Sequence, residues 1–130
     1  MPKFVRDVMS RSVVTCTPET SVREAARRMT DHHLSALVVV DEASGELEGI
    51  VSRSDLAQAY GKDYDAVKVE SIMTHDVETI IPDIPVLAAV QIMLDHNIDR
   101  LVIMHAKPAP QRPVGVLSLS AVVRDIASPT

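Results

Sequence analysis

Tryptophan is absent from this 130-residue sequence, and the other aromatics are scarce: one Phe (Phe4) and two Tyr (Tyr60 and Tyr64). A core built from it must therefore be aliphatic, which a hydrophobic share of 46% can supply. The same scarcity removes the aromatic platforms on which single-stranded nucleic acids stack. Cysteine occurs once, as Cys16, so no internal disulfide can form and a reducing compartment is expected. No apolar run approaches the ~20 residues needed to cross a bilayer as a helix. The opening "MPKFVRDVMS" lacks the apolar stretch of a secretory signal. A cytoplasmic chain with no membrane partner is the expectation. A basic excess is missing as well: the formal net charge is −5, whereas a general polyanion binder shows a basic face or stripe. Nucleic acid is therefore not an expected partner.

What is present is duplication. "VRDVMSRSVVTCTPETSVREAARRM" (Val5 to Met29) matches "VESIMTHDVETIIPDIPVLAAVQIM" (Val69 to Met93) at a shift of 64 residues, with Met9 on Met73, Thr15 on Thr79, Pro18 on Pro82 and Met29 on Met93. Past the second apolar strand the shift becomes 66, and Gly49 falls on Gly115 and Ser52 on Ser118.

Each copy reads alike. A short helical turn ("RDVM", "ESIM") leads into a β-rich run, "SVVTCT" or "DVETII". A helix follows, capped by Thr20 or Ser21 in the first copy, where Ser21-x-x-Glu24 predicts a capping box. In the second copy Pro85 suits the first helical position. Val22, Ala25, Ala26 and Met29, answered by Val86, Ala89, Val90 and Met93, make a buried stripe at helical spacing. The runs "ALVVV" and "LVIM" read as strands covered on both faces. "DEASGELE" makes a hairpin-like turn, and "HAKPAPQRP" a longer loop, exposed and stiff. A third strand then runs into a last helix, "SDLAQAY" or "SAVVRDI". The predicted unit is β-α-β-β-α, about 50 residues long and too small to be confidently stable alone. Repeat 1 is assigned to residues 1–58, a connector to 59–68 and repeat 2 to 69–130.

The closing phrase "GIVSRSD" (Gly49 to Asp55) returns as "GVLSLSA" (Gly115 to Ala121). A strand that enters a helix directly presents unsatisfied N–H groups and the positive end of the macrodipole, a seat for phosphate. Ser52 and Ser54 add hydroxyls and Arg53 adds charge. Asp55, acceptor-only when ionised, suits a vicinal diol such as a ribose. Ser54 or Asp55 also suits a plain helix cap.

The β-α-β-β-α repeat, the "D-V-M" opening and the closing G-h-h-S-x-x-D together resemble a CBS domain pair, or Bateman module, named after cystathionine β-synthase. The resemblance covers essentially the whole chain. It implies an α/β (α+β) fold of tandem repeats packed about a pseudo-twofold axis, forming a regulatory module. Such modules bind an adenosyl effector (AMP, ADP, ATP, S-adenosylmethionine, sometimes NAD) in the cleft between the two repeats. By the same resemblance Asp55 holds the ribose hydroxyls, and Ser52, Arg53 and Ser54 face phosphate. The adenine lies near Asp76, Val77 and Glu78, with Ile50 beneath it. A second, weaker site uses Ser118 and Ser120, with Ser12, Val13 and Val14 around the adenine and Arg100 toward phosphate; Arg100 also suits a surface pair with Asp99. Two departures stand out: Ala121 removes the ribose carboxylate from the second corner, and Asp99 stands where many nucleotide-binding relatives carry a basic or imidazole side chain, which disfavours a triphosphate.

No cofactor is required by this reading, and neither a metal nor catalysis is expected. His32, His33 and His96 fall at the ends of equivalent helices, where the dipole favours them, and no set of converging ligands is visible. Cys16 lies in an apolar strand and reads as packing. Nothing fixes a base beside Ser52, and no G-x-S-x-G elbow occurs. Leu87, Ile92 and Leu94 make the second copy's helix apolar beyond its stripe, so a homodimer is expected, and an unknown protein partner fits a regulatory role. The alternative function is a ligand-independent module for dimerisation and protein interaction, which has no need of Asp55.

Overall fold

In the computed structural model, residues 2–105 and 112–129 are described. The expected proline-rich loop falls largely on residues 106–111, outside them. The elements run α1 (Val5–Val8), β1 (Thr15–Cys16), α2 (Val22–His32), β2 (Ala36–Val40), β3 (Leu47–Ser52), α3 (Arg53–Ala57), a 3-10 turn (Val69–Ser71), β4 (Thr79–Ile80), α4 (Val86–Asp95), β5 (Arg100–Met104), β6 (Pro113–Ser118) and α5 (Leu119–Ala127). The fold is α+β, and the expected β-α-β-β-α order occurs twice. Among the described residues no helix is long and apolar enough to cross a membrane.

The chain forms two compact units that are cut differently from the sequence repeats: Val14–Val77 is one, and Met1–Val13 with Glu78–Thr130 is the other. The leading turn of each repeat thus belongs with the strands of the other copy. Long-range strand pairing causes this. Ser10 forms an isolated antiparallel bridge with Val116, and Thr74 forms one with Ile50.

In the Val14–Val77 unit, β1 runs parallel to β2, with Thr15 beside Val38. Strand β2 runs antiparallel to β3, with Ala36 opposite Ser52 and Val38 opposite Ile50. A parallel pair needs a crossover, which α2 provides. Val22, Ala25 and Met29 are the buried residues of α2. Ala25 and Met29 join Cys16, Leu37, Val39, Val51 and Val69 in one aliphatic core. Ala26, expected in the stripe, is only half-buried. Successive residues Leu37, Val38 and Val39 are all buried, which bears out a strand covered on both faces.

Ser21 caps α2, its Oγ accepting the Glu24 N–H at 3.1 Å. The return half of the expected box does not form. Ser21 is drawn into a bridge with Lys68, and Glu24 instead accepts from Arg28 Nε at 3.1 Å. The residues between the repeats fold back on α2: Val67 O accepts from Val22 N–H, and Asp65 pairs with Arg23 at 2.8 Å. That pairing lowers the pKa of Asp65 and raises that of Arg23. The turn after β2 is tied by Asp41, whose Oδ2 accepts from the Ser44 N–H and hydroxyl; these bonds depress the Asp41 pKa.

The other unit repeats the plan. Thr79 lies beside Val102 in the parallel pair β4–β5, and Arg100 lies opposite Ser118 in the antiparallel pair β5–β6. Val5, Met9, Ala89, Met93, Leu101, Ile103, Leu117, Ala121 and Val122 form its core. Pro85 is the cap of α4 and Val86 its first residue, one position from the expectation. The reason is that Pro85 is extended (φ −61°, ψ 142°) and bridges Phe4. The runs expected as strands shrink to two residues each, Thr15–Cys16 and Thr79–Ile80, because only these lie alongside a partner.

Candidate functional site

Strand β3 passes into α3 with no intervening loop, so Ser52 is both the last strand residue and the helix cap. Its hydroxyl accepts the Asp55 N–H at 3.2 Å, and its own N–H donates to Asp55 Oδ2 at 2.9 Å. This reciprocal capping box satisfies two of the donors a helix start leaves open. Ser52 Oγ and Ser54 Oγ are 2.9 Å apart. Arg53 and Ser54 are exposed, whereas Asp55 is 9% exposed.

Asp55 has a further partner that the sequence reading missed. The Thr74 hydroxyl lies 3.3 Å from Oδ2 and 3.5 Å from Oδ1 of its carboxylate. Thr74 is held there by its backbone: Ile50 N–H donates to Thr74 O at 2.9 Å, and Thr74 N–H donates to Ile50 O at 2.8 Å. The approach is so close that a Cβ on Gly49 would stand 2.5 Å from Thr74 O. The motif's glycine is therefore a requirement of the strand crossing. One signal in the sequence pointed to Thr74: the residue after the repeated methionine carries a hydroxyl in both copies, Ser10 and Thr74.

The structure thus brings together Ser52, Ser54, Asp55 and Thr74, with Ile50 half-buried on the adjoining strand. Asp76 is exposed and Val77 half-buried, two and three residues beyond Thr74 in the same unit. Glu78 falls in the other compact unit. There its carboxylate lies 3.0 Å from His96 Nδ1, while its carbonyl accepts from Val102 N–H.

The second corner has half of the machinery. Ser118 Oγ accepts the Ala121 N–H at 3.1 Å, and Ala121 has no carboxylate to return the bond. A Cβ on Gly115 would stand 2.6 Å from Ser10 O, so the strand crossing is reproduced. Arg100 opposes Ser118 across the ladder and bonds Asp99 Oδ2 at 3.1 Å, the surface pairing weighed from the sequence. Ser12 and Ser120 are exposed and Val13 and Val14 half-buried; Val13 and Val14 fall in different compact units.

Cys16 is 1% exposed, and burial, opposed weakly by the nearby Arg28 charge, pushes its thiol up to about 11. Such a thiol is packing material and not a nucleophile. Among the described residues no three His, Cys, Asp or Glu side chains converge to hold a metal ion.

The family model described as "CBS domain" matches residues 5–62 and again 69–128. The chain belongs to the CBS domain family. Among curated relatives it is similar to a homoserine O-acetyltransferase of Methanococcoides burtonii, 36% identical over 120 residues, which covers 92% of this chain and 23% of that protein. A mitochondrial CBS domain-containing protein of Arabidopsis thaliana is 32% identical over 117 residues, covering 85% of this chain and 55% of that protein. Both relatives extend well beyond the shared CBS pair. Among solved structures, the CBS domain pair of protein MJ0100, in complex with 5'-methylthioadenosine and S-adenosyl-L-methionine, is similar with a TM-score of 0.85 at 28% identity, over 98% of each chain. An uncharacterised conserved protein from Pyrococcus horikoshii has a TM-score of 0.84 at 26% identity, over 100% of this chain and 96% of that one.

Proposed function

We propose that the chain is a regulatory module that binds an adenosyl effector, AMP, ADP, ATP or S-adenosylmethionine, and has no chemistry of its own. In this reading Asp55 accepts the ribose hydroxyls, while Ser52, Arg53 and Ser54 face the phosphate or its equivalent. The second corner, with Ser118, Ser120 and Arg100, binds more weakly, and the module works as a homodimer.

One observation carries the reading. Asp55 is a nearly buried carboxylate, and among the described residues no Lys or Arg is bridged to it. Its neighbours are one N–H and one hydroxyl at 3.3 Å, which leaves Oδ1 lightly engaged. A buried carboxylate gains from further donors, and a vicinal diol brings two. That the similar MJ0100 pair was solved with two adenosyl ligands supports the same class of effector.

The capping box favours a second reading, in which Asp55 merely ends a helix and the module serves dimerisation and protein contacts. Thermal shift and titration calorimetry with the four effectors, on wild type and Asp55→Ala, separate the two. A ligand at 100 times its Kd is expected to stabilise the wild type by about 2.7 kcal/mol. Asp55→Ala weakens binding by about 1.5–3 kcal/mol. It also costs about 1 kcal/mol of stability through the lost Ser52 N–H bond of the capping box, while leaving the fold in place, as Ala121 already does at the equivalent position. Absence of a shift with all four effectors, or an unchanged affinity in the variant, overturns the adenosyl reading in favour of the second.

A further inference from the structure

The two corners differ in their cations as well as in their carboxylates. Ala36 lies opposite Ser52 in the β2–β3 ladder, and Arg100 lies opposite Ser118 in the β5–β6 ladder. Residues paired in this way project to the same face of the sheet. The position beside the capping serine is therefore a methyl group in the first corner and a guanidinium in the second. The Arg100 side chain is only 19% exposed, so its charge is held in place. Arg53, which starts α3, is exposed, and a solvated guanidinium adds little to an ion pair.

Negative charge has the opposite distribution. Asp55 is nearly buried in the first turn of α3, where its Oδ2 takes the Ser52 N–H at 2.9 Å. The positive end of that helix is thus already met by a charge of its own chain. Ser52, Ser54 and Thr74 add only neutral hydroxyls around it. Asp76, two residues beyond Thr74 in the same unit, is a further exposed acid. A ribose whose diol meets Asp55 carries its 5' substituent within about one Debye length, ~8 Å, of the carboxylate. A phosphate at that distance is repelled, a thioether is indifferent and a sulfonium is attracted.

We propose that the Asp55 corner selects adenosyl ligands that carry a 5'-thioether or 5'-sulfonium in place of a 5'-phosphate, and that the residue at position 36 sets this choice. The proposal rests on the adenosyl reading of the preceding subsection and narrows it to S-adenosylmethionine and neutral thioethers of the same adenosine. The chain itself supplies the comparison. At the 64-residue shift Ala36 answers Arg100, so one copy carries the diol acceptor without a restrained cation and the other carries the cation without the acceptor. Specificity of this kind comes from an unpaired charge set against the wrong ligand as much as from contacts to the right one.

Titration calorimetry on the full chain with 5'-methylthioadenosine, followed by its displacement with AMP, tests this. The two probes share the adenosine and differ only at the 5' group, and displacement reads AMP at the corner that holds the thioether. The wild type is expected to bind the thioether, Asp55→Ala to weaken that binding, and AMP to displace it with a Ki about 10-fold or more above the thioether Kd. Ala36→Arg, which installs the residue of the second copy, is expected to lower the ratio of AMP Ki to thioether Kd by about 10- to 100-fold, the worth of one charge-assisted hydrogen bond. Position 36 is half-buried, so far-UV circular dichroism checks the fold of this variant, and the wild-type ratio decides the matter without it. Displacement by AMP at a Ki equal to or below the thioether Kd, or binding of AMP alone, would overturn the selection and leave the adenosyl reading standing. An unchanged ratio in folded Ala36→Arg would overturn it equally. Failure of both probes to bind, or an unchanged thioether affinity in Asp55→Ala, would remove the adenosyl reading and this proposal with it.

Discussion

Replacing Gly49 by alanine tests the crossing that builds the candidate site. The added Cβ would lie 2.5 Å from Thr74 O and 3.5 Å from Met73 Sδ. The thioether can swing away, but the carbonyl cannot, because Thr74 and Ile50 exchange two backbone hydrogen bonds of 2.9 and 2.8 Å. To reach an ordinary contact, the two segments must part by the better part of an ångström. That loses much of both bonds, at about 1 kcal/mol each, and adds packing strain of about 1–3 kcal/mol. Alanine returns about 0.5 kcal/mol by restricting the unfolded chain. The expected loss is about 2–4 kcal/mol, read from the midpoint of urea unfolding. Gly115→Ala should behave alike, since its Cβ would stand 2.6 Å from Ser10 O. Gly61→Ala is the control: nothing lies within 4 Å, but φ is +88°, so only backbone strain of about 1 kcal/mol should appear. If Gly49→Ala stays within about 0.5 kcal/mol of wild type, below any packing clash, the crossing does not constrain that residue and the argument from the motif's glycine fails.

Ala121→Asp supplies the missing carboxylate beside Ser118, whose hydroxyl already accepts the Ala121 N–H. The second corner should then gain about one to two decades in adenosyl affinity, seen as a second site in calorimetry; an unchanged isotherm would show that the carboxylate is not what separates the corners. The Cys16 thiol, at about 11 in the folded chain against an ordinary 9.0, ionises first when unfolded. Stability is therefore unaffected below pH 9 and falls as the pH rises toward 11, by about 3 kcal/mol in all. Urea melts of wild type and Cys16→Ala across this range should converge or cross as the pH rises, and curves that stay parallel would contradict the burial of the thiol.

Much of the fold was readable along the chain. Strands β2 and β5, the helices with buried stripes and the cap at Ser21 depend on neighbours within a few residues, whereas the caps of α3 and α5 fall on Ser52 and Ser118, two residues before the expected helix starts at Ser54 and Ser120. Periodicity and cap chemistry report such relations directly. The duplication exposed the element order twice over, and the pairing of Gly49 with Gly115 and of Asp55 with Ala121 singled out the corner and its imbalance.

Other features depend on residues far apart in sequence. The exchange of leading segments between the two repeats, the Thr74 hydroxyl at the Asp55 carboxylate, and the His96 ring at Glu78 join groups from about 18 to more than 100 residues apart. The hydroxyl repeated after Met9 and Met73 marks Thr74 as a position, but local pattern does not name its partner, because such pairings are selected by which strand edge and which core face remain open once the helices have packed. The sequence alone determined what each repeat is made of and which corner holds a carboxylate. Only the tertiary structure decided that the leading segment of each repeat bridges to the last strand of the other. Backbone hydrogen bonds at a strand edge accept any residue small enough to approach, and a glycine marks where that approach occurs without naming its partner.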